Sequence, residues 1–324
     1  SMSLPEAPSP YLVVQLPSLR GLGYRYQPRI SFRDPGVRQV LALMGPATVG
    51  AAGVQINVLV NTNFASSLGD GAVSWLNVAF RFMQLPIGLF GVAVGVVALP
   101  AVSRHAARDD LSSFNRTLVR ALRLVLGLCL PAAVGLALLA SDLIGLVYEH
   151  GRFAAYDTEQ AAIALTAYSI GLVGYANIKV LVPAFYALGD ARTPALVSCL
   201  SILVNAVGAW TAIHVLGFGH AGLALMTAIV ATANFGVLFV VLRRRVGNFE
   251  GLGGATLRIL LASAAVGLVC VAVKQLVGLL LPPGFAARAV TVGLAVPAGA
   301  FLWAALGARF GLDEAQRLTR RVLG

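Results

Sequence analysis

The sequence predicts an all-α membrane protein that crosses the bilayer about eight times. Of its 324 residues, 58% are hydrophobic and only 11% are charged, whereas soluble domains carry roughly 25% charged residues. A transmembrane helix needs about 20 consecutive, mostly apolar residues, and the chain is a series of such runs separated by polar segments. The predicted spans are residues 39–62, 75–102, 119–140, 161–187, 195–216, 221–242, 257–281 and 289–308.

A break is predicted between the fifth and sixth of these spans, although the sequence there is continuously uncharged. No Asp, Glu, Lys or Arg lies between Thr193 and Leu242. At roughly 1.5 Å per residue, one helix of that length would be about twice as long as the bilayer is thick. Gly217, Phe218 and Gly219 lie near the middle of the run, and such glycines favour a turn. We therefore expect a hairpin of two spans.

The arginines predict how the spans are oriented. The net charge is +11, and 19 of the 24 lysines and arginines lie in one set of alternate loops. The opposite loops contain only Arg152 and Arg288, while Arg81, Lys179 and Lys274 lie inside spans. Basic residues collect in cytoplasmic loops, so the first loop and the C-terminus are predicted to be cytoplasmic. The same distribution explains the net charge without nucleic-acid binding, and no nucleic-acid partner is predicted.

The second span carries a polar stripe around a cation. Ser74, Asn77, Arg81 and Gln84 are spaced by three, four and three residues, which places them on one helical face. A charge at the centre of a membrane helix costs about 2.5–3.5 kcal/mol on insertion scales and normally faces a cavity. The stripe therefore indicates a water-filled cavity that receives an anion. The alternative is an arginine that bonds to carbonyl groups of neighbouring helices.

Two further sets of polar residues lie inside spans. Asn57 and Asn61 share a face of the first span with Gly50 and Gly53. Amides inside a membrane need partners, so this face should contact protein or water. Interhelical hydrogen bonds and ligand contacts both remain open here. Lys179 either snorkels to the cytoplasmic surface or lines a cavity.

The sequence contains no pattern typical of an enzyme or a cofactor site. Every Asp and Glu lies in a loop or at the edge of a span, and the histidines lie at loops or span ends. Neither a metal-ligand spacing, a P-loop nor a nucleophile–base pair is present. We therefore predict no catalytic residue, no metal and no cofactor. Gly91 and Gly95 form a GxxxG motif, which predicts close helix packing.

Four segments resemble the MurJ (MviN) family of lipid II flippases, in the superfamily that also holds MATE exporters and polysaccharide flippases. The most specific is residues 77–93, which read NVAFRFMQLPIGLFGVA. Residues 184–194, which read AFYALGDARTP, support it. Residues 15–19 and 44–47 add shorter similarities. The resemblance implies a two-lobe transporter of fourteen helices, with this chain as the second lobe of a MATE-like fold.

The resemblance also implies a function. Family members move undecaprenyl-pyrophosphate-linked disaccharide-pentapeptide from the inner to the outer leaflet of the bacterial cytoplasmic membrane by alternating access. Arg81 falls on the family's cavity arginine, which meets the pyrophosphate. The other residues expected to line the cavity are Ser74, Asn77, Gln84, Asn57, Asn61 and Lys179. Some relatives bind sodium through membrane-embedded acids, but those acids have no counterpart here.

Four parts are expected along the chain. Residues 1–38 are interpreted as the remnant of a preceding helix followed by an Arg-rich cytoplasmic segment. Residues 39–245 would form a six-helix transporter lobe, and residues 246–310 two additional spans that match the family's lipid-tail groove. Residues 311–324 would form a cytoplasmic tail. Lipid II, membrane lipids, the missing six-helix first lobe and cell-wall synthesis proteins are the expected partners.

Three other interpretations remain open from the sequence. The chain could belong to an exporter of another polyprenol-linked glycan or of drugs, which competition between head groups would reveal. It could be a non-transporting membrane scaffold for cell-wall synthesis, which would capture synthesis enzymes without supporting transport. An intramembrane enzyme is disfavoured because no span holds an acid or a histidine well inside.

Overall fold

The computed structural model describes residues 35–309, which are helical apart from short connections. The packing described below concerns residues 43–309, which belong to one compact unit. Nearly all of the predicted remnant at residues 1–38 and the whole tail at residues 311–324 lie outside the described residues. The helices are α1 (Pro35–Ser66), α2 (Ala72–Pro86), α3 (Ala93–Ala106), α4 (Leu111–Leu138), α5 (Ala140–Tyr148), α6 (Ala155–Ala187), α7 (Arg192–His214), α8 (Gly219–Val246), α9 (Leu252–Leu280) and α10 (Phe285–Arg309).

Seven helical segments of the described range are long and apolar enough to cross a membrane. One is continuous from α2 through a π-helical turn (Ile87–Val92) into α3, and the others are α4, α6, α7, α8, α9 and α10. They confirm the predicted spans from 75–102 to 289–308. The first predicted span, 39–62, lies inside α1, a helix of 32 residues that is not among the seven. The all-α, multi-pass fold class is confirmed.

The predicted hairpin between the fifth and sixth spans is present. α7 ends at His214 and α8 begins at Gly219. Gly217 and Gly219 have φ angles of +67° and +56°, a region that glycine adopts without the steric cost of a side chain. The turn therefore depends on these two glycines.

The long helix α6 is the centre of the bundle and packs against α2, α4, α5 and α8. Its side chains Leu165, Leu172 and Phe185 are fully buried. At Gly171 an added Cβ would lie 2.5 Å from the Cα of Ala228, so the α6 and α8 backbones are in contact. Lipid tails are as apolar as leucine, and helices in a membrane therefore associate largely through such van der Waals contact.

Two helices begin at a carboxylate that accepts hydrogen bonds from their first turn. The Asp110 side chain accepts from the Ser113 backbone N–H at 2.9 Å at the start of α4. Hydrogen bonds from Ser113 lower the pKa of Asp110 to about 2. Asp190 accepts from the backbone N–H and the hydroxyl of Thr193, at 2.9 and 2.6 Å, at the start of α7. Both carboxylates satisfy N–H groups that have no partner within the helix.

Asp190 also fastens the α6–α7 loop to the end of α8. Its carboxylate lies 2.5 Å from the Arg245 guanidinium, which is 5.8 Å from the centre of the Phe185 ring. Burial alone would raise the pKa of Asp190, but the hydrogen bonds from Thr193 and the charge of Arg245 outweigh it and lower the pKa. The segment 184–194 thus has a structural role at this corner of the bundle.

We expect Asp190 to make stability depend on pH in acid. Its pKa is lower in the folded chain than its ordinary value of 3.8, so its contribution is present above that value and is lost as the pH falls towards the folded pKa. Between about pH 5 and pH 3, the thermal midpoint should fall more for the wild type than for Asp190→Asn. Asp70→Asn, which changes an exposed loop residue, should keep the wild-type profile. Identical profiles for the wild type and Asp190→Asn would contradict this.

Two ion pairs connect the short helix α5 to the last two helices. Lys274 Nζ of α9 lies 2.8 Å from Asp142 Oδ2, and Arg288 Nη1 of α10 lies 2.8 Å from Glu149 Oε1. The hydrogen bond from Arg288 lowers the pKa of Glu149 against the opposing effect of burial. Lys274, one of the cations found inside predicted spans, therefore has a carboxylate partner.

Candidate functional site

The rotation of α2 is fixed by its apolar side. Trp75, Val78 and Met83 are buried in the bundle. The indole Nε1 of Trp75 also donates a hydrogen bond to Asp157 Oδ1 at the start of α6, at 2.8 Å. The opposite side of α2 is consequently turned away from the other described helices.

The polar stripe predicted from the sequence lies on that open side. Ser74, Asn77, Arg81 and Gln84 are all exposed. Within residues 35–309, none of these four side chains forms a hydrogen bond or an ion pair. The alternative interpretation, in which Arg81 bonds to carbonyl groups of neighbouring helices, is therefore not supported by any contact within the described range. Within the described residues, the five N–H donors of the Arg81 guanidinium have no partner and can bind an anion.

Asn77 joins the stripe to a small cavity of about 120 Å³ inside the bundle. The cavity brings Asn77 together with Asn57 and Asn61 of α1, two other residues predicted for the site. Its further lining includes Phe80, Tyr168, Tyr175 and Thr227. Ser74, Arg81 and Gln84 stay outside it on the open face, and Lys179 is exposed on α6 away from it.

Asn57 and Asn61 belong to a hydrogen-bonded cluster built around Asn205, which sequence analysis did not single out. The Asn205 Nδ2 group is fully buried and donates to Asn57 Oδ1 at 2.7 Å and to Asn61 Oδ1 at 2.8 Å. Asn61 Nδ2 in turn donates to Thr227 Oγ1 at 3.1 Å. The cluster joins α1, α7 and α8. Asn57 and Asn61 therefore form interhelical hydrogen bonds and also line the cavity. Asn205 is the single amide of an uncharged span, and an amide inside a membrane needs a polar partner, so its position could have been recognised from the sequence.

An apolar groove of about 450 Å³ begins beside the stripe. Phe82 and Leu85, which neighbour Arg81 and Gln84 in sequence, form one end of its lining. The groove continues between the π turn, α4 and the last two helices. Its other lining residues include Leu89, Phe90, Pro131, Gly135, Val296 and Trp303.

Below the stripe, the span changes its helical geometry. The π turn Ile87–Val92 follows Pro86, which has no N–H to donate to the helix. Such turns are common points of helix bending. Within the turn, Gly91 packs against Ala176 of α6, where an added Cβ would lie 3.0 Å from the Cα. After it, Gly95 packs against the Lys179 carbonyl. The close packing predicted from GxxxG is confirmed.

Comparison with known proteins identifies the family. The family model for the lipid II flippase MurJ matches residues 11–295 of this chain. The chain belongs to the MurJ family. The lipid II flippase MurJ of Burkholderia cenocepacia is 38% identical over 237 residues, which cover 72% of this chain and 46% of that protein. The chain spans less than half the length of the curated MurJ relatives it matches.

Solved structures agree with this fold. A MurJ structure in an inward closed conformation has a TM-score of 0.67 at 24% identity, covering 96% of this chain and 60% of that chain. An outward-facing multidrug resistance MATE transporter of the MOP superfamily has a TM-score of 0.54 at 19% identity, covering 86% of this chain and 66% of that one. The MATE-like architecture is confirmed, and with the family match it makes the chain a multi-pass protein of the bacterial cytoplasmic membrane.

Proposed function

We propose that this chain is the C-terminal part of a transporter that moves lipid II from the inner to the outer leaflet by alternating access. Membership of the MurJ family supports the substrate class. The observation that carries the proposal is Arg81, an exposed cation on a polar helix face with no carboxylate partner in the described range. A guanidinium binds phosphate oxygens through paired, charge-assisted hydrogen bonds, and pyrophosphate offers several such oxygens.

The stripe would replace water around the polar head group. Arg81 holds the pyrophosphate, and Ser74, Asn77 and Gln84 offer donors and acceptors to the attached sugar and peptide. Asn57 and Asn61 extend the polar lining into the bundle, and Lys179 is a further cation on the same lobe. No bond is made or broken in this task. Transport requires only a lower free-energy barrier to passage of the head group across the membrane. In this proposal the chain is a transporter rather than an enzyme.

The apolar groove would hold the lipid tail. It starts at Phe82 and Leu85, one helical turn or less from Arg81. A substrate with a charged head and a long hydrocarbon chain can therefore place its head on the stripe and its tail along α4 and α10. The division into a six-helix lobe at residues 39–245 and a groove-forming pair at residues 246–310 follows from this assignment.

Orientation and motion complete the proposal. The excess of arginine in one set of loops supports a cytoplasmic first loop and a cytoplasmic C-terminus, because basic residues collect on that side of the membrane. A first lobe supplies the opposite wall of the cavity. Rocking of the lobes requires spans that bend, and Pro86, Gly88 and Gly91 lie at the π turn where bending is easiest. Pro46 of α1 is a second position of this kind.

Outer-leaflet lipid II in cells depleted of their own flippase tests the proposal. The rescuing protein is this chain joined to a six-span first lobe from a relative. We expect restored outer-leaflet lipid II, and no restoration by the first lobe alone at the same membrane level. A well-expressed fusion that restores nothing would contradict lipid II transport. Competition with other polyprenol-linked head groups, and capture of cell-wall enzymes, would then separate another substrate from a scaffold.

A further inference from the structure

A second groove, of about 580 Å³, opens at the end of the bundle opposite the arginine-rich loops. It lies between the end of α4, α5, the first half of α6 and Leu225 of α8, with Lys274 and Arg288 at its rim. It shares no lining residue with the small cavity or with the apolar groove. The transport function proposed above does not use this second groove.

Both signs of charge meet at the mouth of this groove. Lys274 and Arg288 each contact one carboxylate, Asp142 and Glu149 respectively, and the Lys274 side chain remains 43% exposed. Lys274 Nζ also lies 3.5 Å from the Leu138 carbonyl oxygen and 3.3 Å from the Ser141 hydroxyl, so its three N–H donors have partners. Within the described residues, Arg288 retains N–H donors for a further acceptor. Glu159 is exposed on α6 and has no hydrogen bond or ion pair with any residue from 35 to 309. The mouth thus offers donors to an anion beside a free acceptor for a cation.

The wall below the mouth is apolar and is one leaflet deep. Glu159, Ile163, Thr166 and Ile170 are spaced by four, three and four residues, so they share the one face of α6 that borders the groove. Ile163 is 43% exposed and Ile170 is 60% exposed, while the Thr166 hydroxyl bonds to backbone carbonyls. From Glu159 to Ile170 the helix rises roughly 16 Å, about half of a 30 Å hydrocarbon core.

We propose that this groove binds a glycerophospholipid whose head group carries a primary amine. Its phosphate contacts Arg288 beside the charge of Lys274, its ammonium contacts Glu159, and an acyl chain lies along Ile163 and Ile170. With the two paired carboxylates, the mouth carries one more negative than positive charge, which disfavours an anionic head group without an amine. A quaternary ammonium has no N–H to donate to Glu159. In the orientation proposed above, this lipid belongs to the outer leaflet.

Lipid retention by the whole chain tests the proposal. The protein is placed in nanodiscs of equal parts phosphatidylethanolamine, phosphatidylcholine and phosphatidylglycerol, released gently, and its bound lipids are counted by native mass spectrometry. We expect phosphatidylethanolamine to be enriched roughly fivefold over each of the others, the scale of one exposed ion pair. Glu159→Gln should bring the ratio close to one. Glu250→Gln, which alters an exposed glutamate at the opposite end, should leave it unchanged.

A second variant separates this groove from lipid that covers the rest of the protein. Ile170→Trp fills the wall at an exposed position and should reduce the retained phosphatidylethanolamine by about one molecule per chain. Equal retention of the three lipids, preference for phosphatidylglycerol, or an enrichment that survives Glu159→Gln would each overturn the proposal. The assay contains no lipid II, so its outcome is independent of the transport assay.

Discussion

Replacement of Arg81 by alanine should reduce lipid II translocation by the fused protein roughly tenfold to a hundredfold. A hydrogen bond to a charged group contributes about 1.5–3 kcal/mol, and the described residues offer no second cation on the stripe that replaces it. The measurement is the amount of outer-leaflet lipid II in flippase-depleted cells, at membrane levels matched to those of the parent fusion. Folding should be unaffected because Arg81 is exposed and forms no contact that α2 needs.

Two controls give this result its meaning. Arg104→Ala removes an exposed arginine from the last turn of the same span and should leave translocation near the parent level. Arg81→Lys keeps the charge but loses the paired donors of the guanidinium, so an intermediate rate is expected. Full translocation by Arg81→Ala would contradict a role for Arg81 in substrate binding.

Alanine at Gly95 should destabilise the protein more than any other single methyl group added to this span. The new Cβ would collide with the backbone carbonyl of Lys179, and a backbone atom cannot rotate away as a side chain does. Overpacking of this kind costs about 1–3 kcal/mol, so the thermal midpoint in detergent should fall by several degrees. The yield of folded protein should fall with it.

Gly88→Ala is the matched control for this substitution. It adds the same methyl group to the same span, but no atom lies within 4 Å of the new Cβ. Its thermal midpoint should equal or slightly exceed that of the wild type, because alanine favours helix more than glycine does. If both variants lose the same stability, the loss would not be specific to the contact with α6, and the collision with the Lys179 carbonyl would not explain the glycine at residue 95.

The sequence predicted the features that repeat along one helix. Long apolar runs mark seven of the spans because the bilayer demands their length, and the three- and four-residue spacing around Arg81 marks a face. Asn205 carried a signal as the single amide of an uncharged span, but its partners come from two other helices, and no spacing along one chain reveals those partners. The short helix α5 was missed for a different reason. It has only nine residues, too few to give a span signal, and its ion pairs join distant parts of the chain.

The π turn has a consequence for how the Arg81 span can change during evolution. A π turn contains one residue more than the α-helical turn it replaces, so it shifts the phase of everything below it by roughly 100°. The half before the turn contacts α6 through the Trp75 indole, and the half after it contacts α6 through Gly95. The inserted residue therefore sets the phase difference at which both halves contact α6. A deletion within the π turn would put one of the two contacts out of register, so the length of this turn is constrained.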